Sequence, residues 1–248
     1  NFPAGDVNCL QGLEDRLFLG GQGGGLRILD VSERGVPLLM AHYPRYGRLA
    51  QIAVAPGLLV MRPQRGDTIV ATLQGDQITE TAHLGIRGGM RLIGTALYET
   101  TARECIIRSL ENPAQPEVVG RWTGMSPIDM AGPEQLLAGM PEGRLALLDV
   151  SAPLEPRILR EIPLPENVSI GSAAWTDGHL VVVDNSRVSL RVLDLSGDAA
   201  VETGEVFIMR NAGNLALGED GKAYLSYVQG DQATTFSLDT EAPGPGNF

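Results

Sequence analysis

The hydrophobic positions of this chain come in short runs. Gly25-Leu-Arg-Ile-Leu-Asp-Val-Ser32 recurs as Arg144-Leu-Ala-Leu-Leu-Asp-Val-Ser151 and again as Ser189-Leu-Arg-Val-Leu-Asp-Leu-Ser196, with a weaker copy at Thr235-Phe-Ser-Leu-Asp239. Each run is too short for a globular helix and is bounded by turn formers, which marks a strand. The runs are near-continuously apolar, so they predict strands covered on both faces. Two degraded copies, Thr68-Ile-Val-Ala-Thr-Leu73 and Glu104-Cys-Ile-Ile-Arg-Ser-Leu110, fill the long interval between Asp30 and Asp149. The repeat averages about 41 residues, inside the window of propeller blades.

Within one repeat the pattern predicts four strands: Val7 to Gly12, Arg16 to Gly20, Leu26 to Val31 and Pro37 to Tyr43. Glu14-Asp15, Asp177-Gly178 and Asp220-Gly221 sit where tight hairpins need positive φ. The expectation is an all-β, six-bladed β-propeller of four-stranded repeats. It is a single domain over residues 1–248, with blades at 1–45, 46–88, 89–123, 124–166, 167–210 and 211–248. After Asp239 only Thr240-Glu-Ala-Pro-Gly-Pro-Gly-Asn-Phe248 remains, a poor fourth strand, so the last blade is expected to risk lacking its outer strand. An edge left open there is a template for strand addition by a partner.

Leu-Arg-Ile-Leu-Asp-Val-Ser followed by Pro37, Leu-Leu-Asp-Val-Ser-Ala-Pro153 followed by Pro156, and Glu111-Asn-Pro-Ala-Gln-Pro116 resemble the LVIVD repeat. The resemblance implies a bacterial or archaeal β-propeller type, mostly exported or at the cell surface, with no shared catalytic residues. Its implied location is extracellular, cell-surface or periplasmic. The chain begins at Asn1 without a signal-like apolar segment, which fits a mature exported chain or a segment trimmed at a domain edge.

Composition narrows the function. Gly (31) and Pro (16) are too many for a helical bundle. No apolar run is long enough to span a bilayer as a helix, and no basic block marks a nucleic-acid tail. Cys9 and Cys105 form no CxxC, and they fall on different blades, too far apart for a disulfide, so two free thiols are expected. His42, His83 and His179 lack ligand spacing, and neither a metal site nor a cofactor is expected. The recurring Asp30, Asp149, Asp194 and Asp239 are assigned to turns, because strand-end Asp and Ser hydrogen-bond the local backbone.

No catalytic motif is present; Gly20-Gly-Gln-Gly-Gly-Gly25 lies between strands rather than between a strand and a helix. The polar residues near the first strands are Asn8, Gln51, Asp129, Ser172 and Asn214, sparse material for a channel site. Charge is uneven, although the net charge is −11. The second-to-third and fourth-to-first connections share one end of each blade. In the first three repeats that end carries Arg45, Arg48, Arg62, Arg65, Arg87, Arg91 and Arg103, while Glu14, Asp15, Glu33, Asp76 and Glu111 occupy the opposite turns. Guanidinium groups bind carboxylate and phosphate bidentately. The arginine end is therefore the candidate docking site for an acidic protein surface or a larger extracellular assembly. Asp67, Glu99 and Glu104 are the nearby acids that would neutralise it. The function expected is a non-catalytic interaction or scaffold module. The alternatives are a channel-site hydrolase or lyase with a divalent metal, and a polyanion- or glycan-binding module.

Overall fold

The computed structural model describes residues 7–239 except 22–23, 34–35, 102, 133, 167, 169, 177, 185–188, 208–211, 218–221 and 230–231; at 171–172, 176, 206 and 212–239 it describes backbone alone. The chain divides into two compact units, residues 1–124 with 153–155, and residues 125–152 with 156–248.

Unit 1 holds three antiparallel sheets. The first is β1 (Val7–Leu13), β2 (Arg16–Gly21), β3 (Gly25–Asp30) and β4 (Leu38–Tyr43); the second is β5 (Leu49–Ala55), β6 (Leu58–Pro63), β7 (Thr68–Gln74) and β8 (Gln77–Leu84). The third is β9 (Gly89–Ile93), β10 (Ala96–Thr100), β11 (Glu104–Ser109) and β12 (Glu117–Thr123). Unit 2 holds β13 (Ser126–Gly132), β14 (Gln135–Met140), β15 (Arg144–Asp149) and β16 (Arg157–Pro163), then β17 (Ile170–Thr176), β18 (His179–Asp184), β19 (Ser189–Asp194) and β20 (Val201–Phe207). Its last sheet has three strands, β21 (Ala212–Leu217), β22 (Lys222–Gln229) and β23 (Gln232–Asp239).

The expectation of six blades of four-stranded repeats, the last at risk of lacking its outer strand, is thereby corrected: among the described residues five blades of four antiparallel strands are formed, not six. The period counted the third-strand motif, and a third strand does not by itself supply a fourth. Residues 240–248, on which the expected open edge falls, lie outside the described residues.

Middle strands carry the core, packing against the adjacent sheet within each unit. Phe18, Leu26 and Ile28 pack with Leu49, Leu59 and Met61 of the second blade. Val60 and Val70 pack with Met90 and Leu97 of the third. In unit 2, Leu137 and Leu145 meet Leu180, Val182 and Leu193. Each such side chain contributes about 1.5–3 kcal/mol, and truncating Leu59, fully buried, to Ala is expected to cost about 2–5 kcal/mol.

A bulge recurs at the same place in all five outer strands. Met40, Thr81, Val119, Leu159 and Thr203 are each the extra residue opposite the third strand. A bulge bends and twists an edge, which disfavours pairing with other chains. In the two blades where that residue is Thr, its hydroxyl donates to the third-strand carbonyl across from it, Thr81 to Val70 at 3.0 Å and Thr203 to Val192 at 3.2 Å.

Candidate functional site

Three polar residues of the first strands turn out to join sheets. Gln51 on β5 makes a two-way amide clamp on β9, donating to the Met90 carbonyl at 2.8 Å and accepting from the Met90 N–H at 3.1 Å. Asn8 on β1 donates to the Leu49 carbonyl at 3.5 Å. Asp129 on β13 accepts from the Trp175 N–H of β17 at 3.1 Å and from its neighbour Met130 at 2.9 Å. Each joins the first strand of one blade to that of the next, so these groups serve the backbone of the following sheet. The side chains of Ser172 and Asn214 lie outside the described residues.

The recurring aspartates close turns. Asp30, Asp149 and Asp194 accept the N–H of Ser32, Ser151 and Ser196 at 2.8, 2.9 and 2.8 Å. Those serines hold the three carboxyls below the ordinary aspartate range, through the Ser32 hydroxyl and N–H at Asp30 and chiefly through the serine N–H at the other two. The side chain of Asp239 lies outside the described residues. Among the described residues no group of three or more His, Cys, Asp or Glu is placed to hold a metal ion. Also among them, no helix is long and apolar enough to cross a membrane.

Both cysteines are free thiols. Cys9 is half-buried with its sulfur 3.9 Å from the Gly20 and Leu49 carbonyls, and burial pushes its pKa up to about 11. Cys105 is fully buried and pushed up to about 12 for the same reason.

All seven arginines of the candidate docking end belong to unit 1, and its backbone ties the connections that carry them together. The Gln64 N–H donates to the Arg48 carbonyl at 2.8 Å, joining the β6–β7 and β4–β5 connections. Arg62 Nη1 donates to the Arg87 carbonyl at 2.6 Å and also to the Gly88 carbonyl, so Arg62 is half-buried and holds the β8–β9 connection. Gly88 is obligatory there, since a Cβ would lie 1.6 Å from the Thr100 carbonyl oxygen. The Arg103 backbone is held by the Thr101 hydroxyl at 3.3 Å and by the Gly124 N–H at 2.9 Å.

The arginines therefore do different jobs. Arg45 sits in the short 3-10 turn Pro44–Tyr46, with its guanidinium 4.9 Å from the centre of the Tyr46 ring, 2.8 Å from the Tyr46 hydroxyl and 3.4 Å from Glu80. Arg48 is exposed and Arg91 half-buried, and each has a partner. Arg65, Arg87 and Arg103 are exposed, and among the described residues their guanidinium groups make no ion pair or hydrogen bond. Two of the three acids expected to neutralise this end look elsewhere: Glu99 pairs with Arg108 at 3.2 Å and Glu104 with Arg121 at 2.8 Å. Glu80, which does engage Arg45 and lies 3.5 Å from His83, was not singled out by the sequence. Its place beside the β8 bulge is the signal, because the bulge re-aims the side chains around Thr81.

No family model matches the chain, and no curated protein matches it. Solved structures do. The β-propeller domain of Cps50 (Swd1) from Myceliophteria thermophila is similar at a TM-score of 0.63 and 14% identity, over 97% of this chain and 85% of that one. Sqt1 of Saccharomyces cerevisiae is similar at 0.61 and 12%, over 98% and 85%, and BamB from Moraxella catarrhalis at 0.59 and 12%, over 94% and 70%. At these identities the likeness is one of fold: the chain is a β-propeller.

Proposed function

We propose that this chain is a non-catalytic interaction module that docks an acidic protein surface through the arginine end of unit 1. A β-propeller fold is consistent with a protein-interaction scaffold. The observation that carries the reading is the state of Arg65, Arg87 and Arg103, three exposed guanidinium groups with no partner among the described residues, on an otherwise acidic chain. Their connections are pinned: Arg62 grips the carbonyl of Arg87, and Thr101 and Gly124 fix the backbone of Arg103. The backbone share of the ordering cost is thus met within the fold before a partner arrives, which favours affinity. Guanidinium groups pair bidentately with carboxylates, and a basic end on an acidic body steers an acidic partner into one orientation.

The engagement of Asn8, Gln51 and Asp129 by neighbouring sheets favours this reading over a channel enzyme built from them. Membership of the LVIVD repeat family, and with it an exported or cell-surface location, belongs to the same proposal and is supported by the Leu-Asp-Val-Ser strand ends at Asp30 and Asp149. The test is capture of partners from native extract at low and high salt by the protein and by a variant carrying Arg65→Glu, Arg87→Glu and Arg103→Glu. The reading requires an acidic partner lost in both high salt and the variant. Identical capture by both proteins contradicts it.

A further inference from the structure

The connection between β6 and β7 reads Gln64-Arg65-Gly66-Asp67, and all four residues are exposed. Both of its ends are anchored. The Gln64 N–H donates to the Arg48 carbonyl at 2.8 Å, and the fully buried Thr68 donates its hydroxyl to the Ile86 carbonyl at 3.2 Å. Between those anchors Gly66 takes a φ of +101°, which glycine adopts without steric cost, and a Cβ placed there would meet nothing within 4 Å. Arg65-Gly66-Asp67 is thus a short tip on fixed supports, with open space around its central residue.

The two charges of the tip do not neutralise each other. Among the described residues the Arg65 guanidinium and the Asp67 carboxylate make no ion pair or hydrogen bond. The corresponding connection between β14 and β15 shows the alternative. There Glu142 and Arg144 likewise flank a glycine, Gly143 with a φ of +67°, and their side chains pair with each other at 3.8 Å. An acid and a base at this spacing can close on one another, and at Arg65 and Asp67 they stay apart. The tip therefore offers a base and an acid separately, on either side of a residue without a side chain.

A partner that reads both groups must supply two unlike subsites. A carboxylate suits the guanidinium, which it meets bidentately. For Asp67 the matching group is a hard divalent cation, which takes carboxylate oxygens. Among the described residues no set of acids joins Asp67 to hold such an ion, so the ion comes with the partner. We propose that Arg65-Gly66-Asp67 is a receptor-binding tip, taken by an adhesion receptor that ligates Asp67 through its own divalent cation and pairs Arg65 with a carboxylate. The inference rests on the docking reading for Arg65 and names the class of partner. It adds Asp67 and the metal ion, which resolve how an acid at the arginine end can serve binding to an acidic site.

Surface plasmon resonance with the purified ectodomain of an integrin that binds Arg-Gly-Asp peptides tests this, in Mn2+ and in EDTA, with the protein and with Asp67→Glu and Asp67→Asn. Asp67 is exposed, so both variants are expected to melt at the temperature of the parent, which separates lost binding from lost folding. The expected result is saturable binding in Mn2+, abolished by EDTA and weakened at least about tenfold by each substitution. Asp67→Glu keeps the charge and only moves the carboxylate outward, so its loss reports ligation geometry. No binding in Mn2+, binding that survives EDTA, or binding indifferent to Asp67→Glu overturns the proposal. Docking of an acidic surface by the arginine end alone predicts the opposite sign at this position: it needs no metal, and Asp67→Asn strengthens it by removing a repelling acid. The two readings therefore fail separately.

Discussion

The hydroxyl of Tyr98 donates to the carbonyl of Pro153 at 2.6 Å, across 55 residues of chain. Pro153 stands in the turn after a third strand, and that turn is the recurring grip of the fold. Tyr43 holds the Asp76 carbonyl at 2.5 Å and Arg16 holds Gly75 at 2.6 Å. Thr81 holds Pro113 at 2.9 Å, and in unit 2 Arg160 holds Gly197 at 3.1 Å together with Leu195. The acceptors all follow a third strand, so a turn that looks like surface ornament in the sequence serves the neighbouring sheet.

Tyr98→Phe keeps the ring, which is fully buried against Trp122 with centroids 6.0 Å apart, and removes only the hydroxyl. The expected loss is about 1–2 kcal/mol of unfolding free energy, measured by denaturant titration with an unchanged slope.

Gln51→Leu is the sharper case, because it strips both an acceptor and a donor from Met90 in one step. About 1–3 kcal/mol is expected from the backbone groups left unsatisfied. The exposed Gln77→Leu serves as control and stays within roughly 0.5 kcal/mol. Equal effects of the two substitutions would show that the clamp does not join the sheets.

The strand motif, the turn aspartates and the core were legible because they repeat: Leu-Asp-Val-Ser at Asp30 and Asp149 reports both an apolar strand and the Asx turn that ends it. The number of four-stranded blades was only half legible, since the period tracks third strands and is silent on a fourth, and only the Pro- and Gly-bearing tail after Asp239 spoke against one. The uneven distribution of arginines could also be read from the connections that carry them. Their division of labour could not, because Arg62 is satisfied by the carbonyls of Arg87 and Gly88, and carbonyls have no signature in sequence. The grips were half visible. Pro113 and Pro153 stand four residues after Ser109 and Asp149, a recurrence that marks the turn without naming Thr81 or Tyr98 as its holders.

Acid should reveal the turn aspartates. Serine hydrogen bonds depress the folded-state pKa of Asp30, Asp149 and Asp194 below 3.8. A depressed carboxyl contributes stability above its unfolded pKa and loses it as pH falls through the folded value. Carboxyl NMR titration is expected to give all three midpoints below 3.8, and Asp149→Asn should flatten the acid limb of the stability profile. Midpoints at or above the ordinary value would contradict the turn assignment.

Thiol chemistry separates the two cysteines. With pKa values of about 11 for Cys9 and about 12 for Cys105, neither is a ready thiolate at neutral pH. A disulfide reagent at pH 8 is expected to label half-buried Cys9 slowly and buried Cys105 more slowly still. Both should react at once in denaturant. Fast labelling of Cys105 in the native protein would contradict the packing around Tyr98 and Trp122.

A hairpin position offers a gain. Glu14 adopts a φ of +52°, a left-handed conformation that a residue with a long side chain adopts at a cost. Glu14→Gly is expected to be neutral or stabilising by up to about 1 kcal/mol, since the relief of strain exceeds the entropy that Gly restores to the unfolded chain. Thermal melts of the pair decide it, and a lowered midpoint counts against strain at this turn.

The arginine end is tested most directly by site-specific photo-cross-linking in native extract, with the photoreactive residue placed at Arg87 in one protein and at Glu111, on an acidic turn of the same unit, in another. Both sites are exposed, so reactivity alone does not favour either. The account expects a discrete acidic partner cross-linked at position 87, suppressed by salt, and none at position 111. Equal cross-linking at both positions, or a discrete partner at 111 alone, would contradict it.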